Sequence, residues 1–254
     1  MKFAEISKLA DLFVKLSTEY SLSEMKRDWN QYADSDPYFA IIRDPNKKGK
    51  WDEKEFYHLG ENEANGILDK CKALKFPKKK NMALDFGCGI GRLTEPLSKH
   101  FTKVIGIDIS DHMLDLAKEH TEKSKIKNID YKDITHLSSI KSNSMDLIVT
   151  RFVLEHIPPN LAKKYIKEFT RILKPNGIAT FEVPFSEPSE NVSHNKKYIE
   201  KGEKEDIPIT LVFSIPKHEV YKIIEDGDCY VIDSDETDGL VNKHFPAIFY
   251  WITK

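Results

Sequence analysis

Gly87, Gly89 and Gly91 alternate through Gly87-Cys88-Gly89-Ile90-Gly91, directly after the short run Met82-Ala83-Leu84-Asp85-Phe86. Glycines so placed let the backbone take positive φ and approach a ligand with no Cβ in the way, which a strand feeding a nucleotide-binding turn requires. Arg92 to His100 then reads as the helix that opens above the turn. Asp108 stands 21 positions after Gly87, at the end of a second apolar run, Val104 to Ile107. A carboxylate at that spacing can accept hydrogen bonds from both hydroxyls of a ribose. The dinucleotide fingerprint G-x-G-x-x-G is not met, because Arg92 occupies the place of its third glycine, and NAD is therefore disfavoured. His156 follows a third apolar run, Met145 to Thr150, on a loop over the carboxyl ends of strands, where open sheets bind ligands. A histidine there can take a proton near neutral pH, and its other reading is a side chain that orders the loop by hydrogen bonding.

The elements that must position these residues alternate from Asn81 onward. Strands are expected at 81–86, 103–108, 128–132, 145–150 and 177–183, with helices at 91–100, 111–122 and 160–173, the pattern of a parallel sheet covered by helices on both faces. Asn176-Gly177 turns into the fifth strand. The segment 184–217 breaks the pattern with Pro184, Pro188, Pro208 and Pro216 and many charges, and reads as an insertion holding at most a short helix and a strand. A helix at 217–226, a strand at 229–235, a turn at Gly239 and an aromatic strand at 246–253 follow, and two final strands joined by a short connection suggest an antiparallel edge hairpin. Upstream, Phe3, Ile6, Leu9, Ala10, Phe13 and Leu16 recur at helical spacing, Ser23 can cap a second helix through Tyr32, and a third runs from about Glu53 to Ala73. The division expected is a helical extension over 1–75 and an α/β domain over 76–254.

Leu84-Asp85-Phe86-Gly87-Cys88-Gly89-Ile90-Gly91 resembles the first motif of the class I S-adenosylmethionine-dependent methyltransferases. Tyr131-Lys132-Asp133-Ile134, Arg151-Phe152-Val153-Leu154-Glu155-His156-Ile157-Pro158-Pro159 and Leu173-Lys174-Pro175-Asn176-Gly177 are similar to later segments of that family, in its order. The resemblance covers about 81–183 well and the remainder by topology. It implies a Rossmann-like, doubly wound sheet of seven strands in the order 3-2-1-4-5-7-6 with the last strand antiparallel, and S-adenosyl-L-methionine as cofactor. By the same resemblance Asp85 serves the methionine end of the cofactor, Asp133 and Ile134 the adenine ring, and Ile109 and Met113 its stacking position. Cys88, Arg92, Arg151 and Phe152 complete the implied cofactor set with the three glycines and Asp108. The implied reaction is methyl transfer to an oxygen or nitrogen of a small molecule, with His156 as base where the acceptor must lose a proton.

Trp29, Tyr32, Tyr38 and Trp51 cluster before the glycine loop beside Arg27 and Phe39. They read either as packing that glues the extension down or as a lid that excludes water from a methyl-transfer site. A polyamine synthase of the same fold remains an enzymatic rival, although this chain has no acid-rich loop after its fourth strand, and an inactive regulatory subunit that binds cofactor is the alternative from another class. Thirty-nine basic against 41 acidic residues, net −2, offer no global field for nucleic acid. Cys71, Cys88 and Cys229 form no C-x-x-C, so neither a disulfide framework nor a metal site is expected, and no stretch approaches a membrane span. A cytoplasmic enzyme is the expectation.

Overall fold

The structure, a computed structural model, describes residues 20–185, 195–197, 211–237 and 246–254. The helix expected within residues 1–16, the turn at Gly239 and most of the insertion lie outside the described residues.

Seven strands form one sheet: β1 (Met82–Phe86), β2 (Lys103–Asp108), β3 (Ile129–Asp133), β4 (Met145–Thr150), β5 (Leu173–Pro184), β6 (Tyr230–Thr237) and β7 (Ala247–Thr253). Their order is β3-β2-β1-β4-β5-β7-β6. The first five pair in parallel, and β7 runs antiparallel between β5 and β6. β1 and β4 are nearly continuous apolar runs because helices cover both of their faces. In the insertion Asn195–Lys197 pairs with Leu211–Phe213 as a short antiparallel ribbon.

The described helices are α1 (Leu22–Ser35), α2 (Pro37–Ile41), α3 (Glu53–Leu74), α4 (Thr94–Ser98), α5 (Asp111–Lys123), α6 (Pro159–Ile172) and α7 (Lys217–Asp226). None of them is long and apolar enough to cross a membrane. α1 starts one residue before Ser23. Ser21 is its cap, accepting from the Glu24 amide while its own amide donates to the Glu24 carboxylate, and Ser23 has no acid three residues on to close such a box. α4 is shorter than the expected 91–100, and Gly91, with φ +87, cannot itself belong to a right-handed helix.

Two layers of core flank the sheet. On one face Leu84, Phe86, Ile148, Phe181 and Tyr250 meet Ile166 and Phe169 of α6 and Val220 of α7. On the other Ala83, Leu147, Val149, Ile178 and Trp251 meet Ala64, Ile67 and Cys71 of α3 and Leu97 of α4. α3 therefore lies on the sheet as a layer of the main core, although it precedes residue 75. α1 and α2 form a third cluster in which Tyr32, Ala33 and Ala40 pack with Phe56, with Ile90 of the glycine loop and with Met113 of α5.

Candidate active site

The carboxyl ends of β1, β2 and β4 open into a cavity of about 660 Å³, its mouth included. Gly87, Gly89, Asp108, Ile109, Met113 and Ile134 line one part of it, and Phe86, Arg151, Phe152, Val153, His156, Ile157 and Tyr165 another. Met25, Trp29 and Ile41 of the N-terminal helices close the top.

Asp108 is buried, and each of its oxygens is held by a backbone amide: Oδ2 accepts from Gly89 at 2.8 Å and Oδ1 from Ser110 at 2.9 Å. Burial pushes its pKa up while these amides pull it back. A carboxylate offers about four acceptor positions, so acceptor capacity remains for a ligand. Gly89 has φ +51, and a Cβ there would lie 2.8 Å from Cδ1 of Ile41. Glycine is thus needed twice at this position, for its backbone and for the α2 side chain seated against it.

Several residues of the implied cofactor set lie behind this surface. Asp85 is buried and accepts from Thr94 Oγ1 at 2.6 Å, and desolvation pushes its pKa up to about 6. Cys88 is buried, which raises its thiol pKa, and Gly91 gives room to the Tyr131 hydroxyl, 2.5 Å from where a Cβ would stand. Arg92 is buried in an ion pair with Glu63 at 2.7 Å. Asp133 is exposed and caps the turn that follows β3, accepting from the Thr135 amide and hydroxyl, bonds that lower its pKa.

At the end of β4 the chain makes a strained exit. Phe152 has φ +58, a left-handed conformation that costs an aromatic residue about 1–3 kcal/mol and clusters at functional sites. Arg151 is held by Glu63 at 2.6 Å and by Glu182 of β5, and its guanidinium lies over the rings of Phe152 and Phe249, 4.6 and 4.7 Å from their centroids. His156 faces Trp29 with ring centroids 5.6 Å apart, and its Nε2 is 4.0 Å from Oε1 of Glu155. Glu155 is 2 % exposed, its Oε2 has no hydrogen-bond partner among the described residues, and desolvation pushes its pKa up to about 8.

Of the four aromatics expected to form a lid, Trp29 reaches the cavity. Tyr32 packs on Trp29 at 5.4 Å, while Tyr38 and Trp51 meet Phe56 edge-on at 4.9 and 5.8 Å, in the cluster that fastens the extension. Arg27 is exposed beside Asp28, and Phe39 is buried in α2. The sequence did not single out Glu63, Glu182, Gly60, Ile41 or Tyr57. Gly60 of α3 permits direct contact with the glycine loop, since a Cβ there would be 2.4 Å from the Arg92 carbonyl, and the Tyr57 hydroxyl donates to the Ile90 carbonyl at 3.0 Å. The available signal was an α3 face carrying Phe56, Gly60, Glu63 and Ile67 at helical spacing, in which a glycine and a glutamate interrupt an apolar stripe.

Residues 84–181 match the model of the methyltransferase domain family. The chain is 38 % identical over 102 residues to the ubiquinone biosynthesis O-methyltransferase of Pelagibacter ubique, covering 40 % of this chain and 41 % of that protein. It is 38 % identical over 105 residues to the enzyme of the same name from Coxiella burnetii, covering 41 % and 43 %. The chain thus spans about two fifths of the length of these curated relatives. Among solved structures, an S-adenosylmethionine-dependent methyltransferase from Clostridium acetobutylicum superposes with a TM-score of 0.58 at 20 % identity, covering 85 % of this chain and 97 % of that one. The magnesium protoporphyrin IX methyltransferase of Synechocystis, with S-adenosylhomocysteine bound, gives 0.62 at 16 % identity, covering 92 % and 100 %. The segment 84–181 is thus similar to the methyltransferase domain family, and the seven-stranded sheet has the same fold as these solved methyltransferases.

Proposed function

We propose that this chain transfers a methyl group from S-adenosylmethionine to a hydroxyl oxygen of a small, largely apolar acceptor. The observation that carries this reading is one cavity lined both by the Gly89–Asp108 pair and by His156. The free acceptor positions of Asp108 suit the ribose hydroxyls, and the positive-φ glycines admit the cofactor against bare backbone. Bound there, S-adenosylmethionine supplies a methyl group activated by its sulfonium. The chain contributes alignment and a dry site: Phe86, Phe152, Trp29 and Met25 leave little room for water around the transferring group, and alignment is the larger share of such a rate enhancement. His156 takes the acceptor proton at a ring nitrogen as the oxygen becomes methylated.

The chemistry of the acceptor follows from the walls. They are mainly apolar and aromatic, and the cation among them, Arg151, is already paired by Glu63 and Glu182, so an uncharged hydroxylated molecule is accommodated better than an anion. This fits the relatives named for O-methylation in ubiquinone biosynthesis.

Calorimetric titration with S-adenosylhomocysteine tests the cofactor assignment, with an expected micromolar dissociation constant, about −8 kcal/mol, and none for NAD. His156→Ala should then keep S-adenosylhomocysteine affinity while turnover of a hydroxylated aromatic acceptor falls by about 10² or more. Binding of NAD in place of S-adenosylhomocysteine would overturn the assignment, and undiminished turnover in His156→Ala would return that histidine to loop structure.

A further inference from the structure

Behind the wall formed by Arg151 and His156, three buried or half-buried carboxyls face two guanidiniums. Glu63 of α3 pairs with Arg92 of the glycine loop and Arg151 at the end of β4, and Glu182 of β5 pairs with Arg151 and accepts from the Thr237 hydroxyl at 3.1 Å. Glu155 is the third carboxyl. It has no ion pair of its own with either arginine among those the structure shows, its Oε2 is buried without a partner among the described residues, and its Oε1 lies 4.0 Å from His156 Nε2. The strand Leu211–Phe213 runs beside the same turn, and its sequence holds no ionisable residue. Burial outweighs the backbone amides of Glu155 and Val153 and the charge of Arg151, and a buried carboxylate with one oxygen left without a partner is costly, so this group carries a proton unless a further positive charge comes near. The cavity on the other side of Arg151 and His156 is where, on the reading above, a sulfonium is held.

We propose that Glu155 is the carboxyl that answers the charge of the methyl donor: it gives up its proton as the sulfonium enters the cavity, and the carboxylate so formed stands beside His156 during the transfer. This inference rests on the proposed methyltransferase reading. The first step breaks the Glu155 O–H bond and sends the proton to solvent, so the local charge is unchanged when the donor binds. In the second, the acceptor oxygen forms its bond to the methyl carbon, the carbon–sulfur bond breaks with its electron pair staying on sulfur, and the acceptor proton passes to His156. The positive charge has then moved from sulfur to the imidazolium, 4.0 Å from the same carboxylate. Glu155 is a positioning residue here, acting through His156 and through the charge of the site.

S-adenosylmethionine and S-adenosylhomocysteine differ by the methyl group and its positive charge, so comparing them isolates the effect. Calorimetric titrations at pH 7 in buffers of different ionisation enthalpy count protons. The donor should release roughly one proton more than S-adenosylhomocysteine, and its relative affinity should rise with pH by up to tenfold per unit below about 8. In Glu155→Gln the excess proton and the pH dependence of the affinity ratio should both vanish, while in His156→Gln the excess proton should remain. Difference infrared spectra of the unaltered protein supply a measurement that needs no variant: the carbonyl band of a protonated carboxylic acid should be lost with the donor and kept with S-adenosylhomocysteine. Equal proton release by the two ligands, or an excess that survives Glu155→Gln, would overturn the inference with the cofactor assignment intact. Failure of both ligands to bind would instead remove the reading on which it rests.

Discussion

Gly89 and Glu155 show what single positions contribute. Gly89→Val places a branched side chain at φ +51 and against Ile41, so we expect S-adenosylhomocysteine binding to weaken by at least about 2 kcal/mol in a protein whose circular dichroism is unchanged. Retained affinity in the folded variant would mean that the loop is only a turn. Glu155 makes a separate prediction about stability. A carboxyl held above its ordinary value favours the fold in its protonated form, so the stability it confers is complete below about 4.5 and is withdrawn as pH rises through about 8. Denaturant titrations across that window should show unfolding free energy declining by up to about 1.4 kcal/mol per pH unit, and Glu155→Gln should flatten the decline. A slope unaltered by the substitution would assign it to other groups, of which buried Asp85 is the first to examine.

The elements around the site act through close approach. α3 touches the glycine loop at Gly60, where a Cβ would meet both the Arg92 side chain and its carbonyl. Gly60→Ala should therefore lower the melting temperature and weaken S-adenosylhomocysteine binding together, although alanine favours an isolated helix. A variant more stable than the parent would show that α3 has room to shift. α1 is tied to α5 by Lys26–Asp111 at 2.7 Å, Asp34–His112 at 2.7 Å and the Ser110 hydroxyl on Asn30 at 2.7 Å. Two of these links are exposed and worth little singly, so Trp29, wedged over His156, is the better probe. Trp29→Ala should raise the acceptor KM several-fold more than the dissociation constant of S-adenosylhomocysteine, and equal changes in both would mark it as general packing.

At the scale of the whole molecule, the sheet was legible in the sequence because parallel strands buried on both faces are continuous apolar runs, and the glycines and Asp108 mark the ends of two of them. The placement of α3 was not, since a helix packed on the sheet and one in a separate extension carry the same amphipathic stripe. Nor were the partners of Arg151, because Glu63 and Glu182 lie 88 and 31 residues away along the chain and only the fold brings them to one side chain. Asp85, Asp133 and Arg92 show the converse: motif spacing located their backbone while Thr94, Thr135 and Glu63 engage their side chains.

The outermost strands carry a further consequence. β6 ends the sheet on one side with Asp233, Asp235 and Glu236, the first two reached by Lys70 of α3 at 2.5 and 3.7 Å, and β3 ends it on the other with Asp130, Lys132 and Asp133. A foreign strand adding to either margin would have to desolvate those charges, so the ladder is discouraged from growing between molecules into fibrils. Replacing Asp233, Asp235 and Glu236 together by valine should leave β6 paired to β7 and raise light scattering as the protein is concentrated. The carboxylates of β6 thus act against the crowd of like molecules, at the far side of β5 and β7 from the cavity.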